Sequence, residues 1–122
     1  MSNIKVFEND LPKDLDLSNE KFIGLDNEAL GLVLGRDPLT LVQLGLESKN
    51  FYLIKLNRET YHAPNLIKAL SNDSTQYIMH YARQDLLWLK YHLNVKPKNI
   101  FCTKVASKIA RTASSYLSLI HI

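Results

Sequence analysis

Three short apolar runs, Lys21–Leu25, Leu39–Leu44 and Phe51–Ile54, follow one another before any helical periodicity begins. Gly35-Arg36-Asp37-Pro38 and Glu47-Ser48-Lys49-Asn50 separate them and have the composition of tight connections. Consecutive strands joined this way predict an antiparallel meander. Downstream the apolar period lengthens from two toward ~3.6. Ala63-Pro64-Asn65 opens a short helix that runs through Leu66, Ile67 and Leu70 and stops at Ser71-Asn72-Asp73. Gln76–Met79 then reads as a buried strand, Ala82–Asn94 as a helix with Leu86, Leu89 and Leu93 at helical spacing, and Asn99–Phe101 as a last strand. Thr103 can cap one more helix, from Lys104 to about Ser114. Strands that return through helices lie parallel, so the expected fold is α/β: a mixed sheet with three antiparallel strands first, parallel strands later, and helices packed on it.

The 122 residues match one domain, and a 46% hydrophobic, 22% charged composition is that of a globular chain. Residues 1–20 are polar and form a lead-in with one short strand at Ile4–Phe7. A net charge of +3 suits a polyanionic partner without requiring one. Cys102 is the only cysteine, which excludes an internal disulfide and a multi-cysteine zinc site and fits a reducing compartment. Neither a secretory leader nor an apolar run of spanning length is present in the sequence. The expected location is the cytoplasm, with no membrane partner.

Asp26-Asn27-Glu28 comes directly after the first meander strand. Residues two apart on a strand share a face, so both acids are delivered to one side of the sheet edge. An isolated Asp-x-Glu is more often a solvated pair of turn residues. A third acid strengthens the case: Asp85 stands in the first turn of the Ala82–Asn94 helix, just after the strand that ends near His80. Placement against the helix dipole is the plain alternative for that residue. Three carboxylates around one crevice repel one another, and divalent cations with hard oxygen ligands offset that repulsion. Two such ions about 4 Å apart suit metal-assisted hydrolysis of a phosphodiester.

The block Phe22-Ile23-Gly24-Leu25-Asp26-Asn27-Glu28, with Ala29-Leu30-Gly31 and Leu41-Val42-Gln43-Leu44, resembles the first exonuclease motif and second strand of ribonuclease D-like proteins. His80-Tyr81-Ala82-Arg83-Gln84-Asp85-Leu86-Leu87-Trp88-Leu89, with Ile100–Ser107 and Arg111-Thr112, resembles the second motif and following helix of short bacterial members, and Ala63–Leu66 fits the same subgroup. The resemblance implies a ribonuclease H-like fold of the DEDD superfamily and a 3′-5′ exoribonuclease that uses two divalent ions, Mg²⁺ or Mn²⁺, and no small-molecule cofactor. It implies Asp26 and Glu28 as ligands of one ion, Asp26 shared with the second, and Asp85 as a further ligand through water. Single-stranded RNA 3′ ends are the implied partner.

Asn27 stands where such proteins usually carry Thr, and Gln84 where short members often carry Phe. The family also carries a later Tyr and, four residues on, a fourth Asp. Tyr116 is followed by Leu-Ser-Leu-Ile-His-Ile, and no acid follows Asp85. The expectation is therefore a partial exonuclease domain over 21–114, cut before the third motif, with an atypical tail at 115–122. Two other readings remain at this stage: a catalytically incomplete nucleic-acid-binding fragment, and a proofreading-type exonuclease acting on DNA.

Asn27, Leu30 and His80 are the candidate nucleic-acid contacts: the Asn27 segment through hydrogen bonds, Leu30 as an apolar wedge under a base, His80 beside the scissile phosphate. For Leu30 core packing is an equal alternative, and for His80 a structural hydrogen bond is the commoner use. Gln43 is expected to face outward from its strand, and Trp88 and Tyr91 to form core and rim. Lys104, Lys108 and Arg111 form one helix stripe that suits phosphates or simply water. The sequence carries no indication of oligomeric state.

Overall fold

A computed structural model describes residues 3–104. The chain runs β1 (Asn3–Glu8), β2 (Phe22–Ala29), β3 (Leu39–Leu46), β4 (Asn50–Lys55), α1 (Pro64–Leu70), β5 (Gln76–Met79), α2 (Ala82–Leu93) and β6 (Ile100–Cys102). One sheet holds all six strands in the order β1-β4-β3-β2-β5-β6. The meander is present: β2 pairs with β3 and β3 with β4, both antiparallel. The strands reached through helices, β5 and β6, extend the sheet in parallel from β2. This is the expected mixed ribonuclease H-like α/β sheet. The lead-in contributes to it, because β1 closes the edge parallel to β4.

Alternation along each strand decides which face is buried. Ile23 and Leu25 of β2, Val42 and Leu44 of β3, and Ile54 of β4 are all nearly inaccessible to water. They share a core with Leu66 and Leu70 of α1 and Trp88, Leu89 and Leu93 of α2. Odd positions of β2 therefore point at the helices, and even positions, Gly24, Asp26 and Glu28, point to the other face. Ile4, Val6, Phe22, Phe51 and Phe101 lie on that second face and are exposed among the described residues.

The acids sit inside β2, not after it, which corrects the expected strand end at Leu25. Ladder pairing with β3 continues through Asp26↔Gln43 and Glu28↔Leu41, and a bulge follows between Glu28 and Ala29. Ladder pairing with β3 holds a carboxylate more rigidly than a turn can.

α1 starts at a proline with no capping bond from its own N-cap residue, Ala63. Asp10 does that work from the lead-in, accepting the Asn65 and Leu66 backbone N–H groups at 3.0 and 2.8 Å. α2 ends at Asn94 in the left-handed conformation, φ 53°. The backbone groups that Thr103 is expected to cap lie outside the described residues. The Thr103 hydroxyl is 2.8 Å from His80 Nδ1 and donates to the Met79 carbonyl. The rest of the helix expected to Ser114, the Lys108 and Arg111 stripe, and the 115–122 tail lie outside the described residues. Among the described residues no helix is long and apolar enough to cross a membrane.

Candidate active site

β2 and α2 deliver the three predicted acids to one place. Asp26 and Glu28 project from the exposed face of β2, and Asp85 sits half-buried in the first turn of α2. Asn27 explains the alignment: pointing to the helix side of the strand, its Nδ2 donates to the Asp85 backbone carbonyl at 3.2 Å. Its own N–H is held by Asp26 Oδ1 at 2.9 Å. The Asn27 side chain therefore ties strand to helix.

Burial raises the Asp85 carboxyl to about 7, helped by the Asp26 charge, a hydrogen bond shared with Asp26, and the Glu28 charge. Two carboxylates this close cannot both be ionised cheaply, so without a cation Asp85 holds its proton to a much higher pH than a free carboxyl does. The donor set suits a hard divalent ion: three carboxylates, with no Lys or Arg ion-paired to them. Among the described residues, ion pairs form only at Arg36–Asp37 and Lys55–Glu8. The acids are not gathered tightly, since no three His, Cys, Asp or Glu side chains among the described residues form a closed ion-holding group.

His80 is exposed at the end of β5, bonded to Thr103. It borders a cavity of about 460 Å³ on the open sheet face, together with Asp26, Gln43, Phe51 and Ile78. Leu30 is 65% exposed, which rules out the core alternative. It is not alone: Leu32, Val33 and Leu34 are exposed beside it on the β2–β3 connection. Sequence reasoning missed this apolar tip, although four large apolar residues in five between two strands was an available signal. A cavity of about 530 Å³ under the lead-in, lined by Lys13, Asp16 and Lys68, is remote from the acids in the fold.

The connection itself is braced. Asp37 accepts the Val33 N–H at 2.9 Å and both Arg36 Nε and Nη2 at 2.9 and 3.0 Å. A Cβ on Gly31 would sit 2.2 Å from Asp37 Oδ2, so any larger residue there must displace the Asp37 carboxylate from its bonds. Gly35, with φ +90°, needs the left-handed freedom of glycine outright.

A family model described as 3′-5′ exonuclease matches residues 5–122. The chain belongs to the 3′-5′ exonuclease family. Among solved structures, Brucella melitensis NrnC is 37% identical over 90% of this chain, with a TM-score of 0.83. NrnC bound to pGG is 34% identical over 100% of it, and NrnC with bound Mg²⁺ 34% over 98%, both with TM-scores of 0.84. The chain spans 53–64% of the length of these NrnC chains. Trypanosoma brucei RNase D in complex with RNA U12 shares the fold at 19% identity and a TM-score of 0.67, covering 85% of this chain and 38% of that one. No curated protein matches. The two motifs read from sequence, around Asp26 and Asp85, both fall within the stretch that matches the exonuclease family.

Proposed function

We propose that this chain is the catalytic core of a metal-dependent 3′-5′ exonuclease that hydrolyses phosphodiester bonds at the 3′ ends of single-stranded RNA. One observation carries the reading: Asp26, from a strand, shares a hydrogen bond with Asp85, from a helix 59 positions later, within reach of the Glu28 charge. A like-charge cluster of this kind, with Asp85 half-buried, is costly unless it serves a cation. Support for RNA comes from the pGG held by Brucella melitensis NrnC, and for the metal from its bound Mg²⁺.

Asp26, Glu28 and Asp85 would hold two divalent ions, Mg²⁺ or Mn²⁺, which when bound lower the pKa of water and neutralise charge on a leaving 3′ oxygen. The chain's own part is positioning. β2 fixes Asp26 and Glu28 on one face, and the Asn27 bond fixes α2 against it. Leu30 and the apolar tip press against the terminal base, the backbone of the Asn27 segment faces the nucleotide, and His80 stands beside the phosphate. A reducing cytoplasm suits the lone Cys102. The exonuclease unit covers 21–114, with 1–20 leading in and 115–122 as a tail.

The test is release of 5′ nucleotides from single-stranded RNA with Mg²⁺ or Mn²⁺. Asp26→Ala should lower the rate by at least about a hundredfold, the order seen when one electrostatic contributor to a transition state is removed. Equal rates would sink the proposal. A second reading, binding without turnover, is favoured by the lack of a closed ion-holding group of three His, Cys, Asp or Glu side chains among the described residues. RNA retention with background hydrolysis in abundant Mn²⁺ selects it. Faster hydrolysis of single-stranded DNA than RNA would select a proofreading-type activity.

A further inference from the structure

A second cleft lies along α2, away from the acids. It has a volume of about 360 Å³ and is bordered by Arg36 on the β2–β3 connection, Arg58 and Tyr61 on the β4–α1 link, and Tyr91 and His92 on α2. Its wall is a group of rings. His92 stacks on Trp88 with centroids 5.5 Å apart and planes 6° from parallel, while Tyr61 and Tyr91 each meet it at 4.9 Å. Tyr91 is 57% exposed, an open ring at the cleft mouth.

Two of the polar groups of the cleft, Arg58 and His92, are not satisfied from within the described residues. Arg36 is spent on Asp37, and the Asp37 carboxylate is saturated by Arg36 and the Val33 N–H. Arg58 makes no ion pair among the described residues. His92 Nε2 is shielded from water and has no hydrogen-bond partner among them. A shielded nitrogen without a partner is destabilising unless something else bonds it. A free guanidinium, an open ring and an unpaired ring nitrogen suit one chemistry: a phosphate carrying a flat, hydrogen-bonding base.

We infer that this cleft is a nucleotide subsite for the strand whose 3′ end lies at Asp26 and Asp85, with Arg58 on a phosphate, Tyr91 under a base and the His92 ring turning so that Nε2, shielded as the cleft stands, bonds that base. The inference rests on the single-strand exonuclease reading and extends it. Asp85 and His92 are seven residues apart on one helix, about two turns or ~10 Å, a span that an upstream nucleotide of the same strand can cover.

Trp88 is the single tryptophan and stacks directly on His92, so its fluorescence reports occupancy. The full chain is titrated with a 5′-phosphorylated RNA tetranucleotide in EDTA, which prevents turnover, and Trp88 emission is followed. The expected result is a saturable change that persists in Asp26→Ala. Arg58→Ala and Tyr91→Ala, both at exposed positions, should each weaken binding by roughly tenfold at unchanged melting temperature. His92→Phe retains the stack and should weaken it as well. No emission change at saturating RNA, equal affinity in all three variants, or an equal response to inorganic phosphate overturns the subsite. Failure of the exonuclease reading is seen separately, as turnover that survives Asp26→Ala.

Discussion

At the scale of single residues, Asp85 is the group whose behaviour the site most alters. Burial and the Asp26 and Glu28 charges raise its carboxyl from 3.8 to about 7. A folded-state value above the unfolded one means that the folded, metal-free chain binds this proton more tightly. The stabilisation is complete below the unfolded value and is lost as pH rises through the folded one. Metal-free chain should therefore melt at a higher temperature near pH ~5 than near pH ~8, and Asp85→Asn should flatten that slope. A slope unchanged in Asp85→Asn would show that another group carries it. Gly31 gives a second residue-scale prediction. An alanine there meets a carboxylate pinned by three hydrogen bonds, so Gly31→Ala should cost about 1–3 kcal/mol in urea denaturation. Neutrality would mean that Asp37 moves freely.

At the scale of elements, α1 depends on a residue more than fifty positions before it. Asp10 accepts two of its first backbone N–H groups, and Asn65 Nδ2 returns a bond to the Leu11 carbonyl. Asp10→Ala should destabilise the chain by about 1 kcal/mol, in the range of lost N-caps, while Asp14→Ala, on an exposed residue of the same segment, should not. Equal denaturation midpoints for the two variants would refute the capping role. β2 shows where elements were legible and where they were not. Its apolar half, Phe22–Leu25, was plain from alternation, whereas Asp26-Asn27-Glu28 read as a turn because acids and amides are poor strand formers. Pairing with β3, which runs on through Asp26, Asn27 and Glu28, overrides that preference. Thr103 shows contacts that no local pattern records: its hydroxyl meets His80 and the Met79 carbonyl, both distant in sequence.

At the scale of the whole molecule, one face of the sheet is buried under helices and the other carries Ile4, Val6, Phe22, Phe51 and Phe101 in the open among the described residues. Register places them on one surface, since Ile4 pairs with Phe51 and Ile78 with Phe101. An apolar face of this kind promotes association. The chain should self-associate in sedimentation velocity, and Phe51→Ser should shift it toward monomer; a monodisperse monomer would count against this. The order of strands and helices, their approximate bounds, the mixed sheet and the two acid motifs were determined by the sequence itself, because periodicity, turn composition and motif order are local properties. Only the tertiary structure decided that Asn27 fastens α2 to β2, that Asp26 and Asp85 share a hydrogen bond, and that Arg58, Tyr91 and His92 border one cleft. Those depend on which distant side chains the sheet and helices bring within a few ångströms, and no local pattern records that.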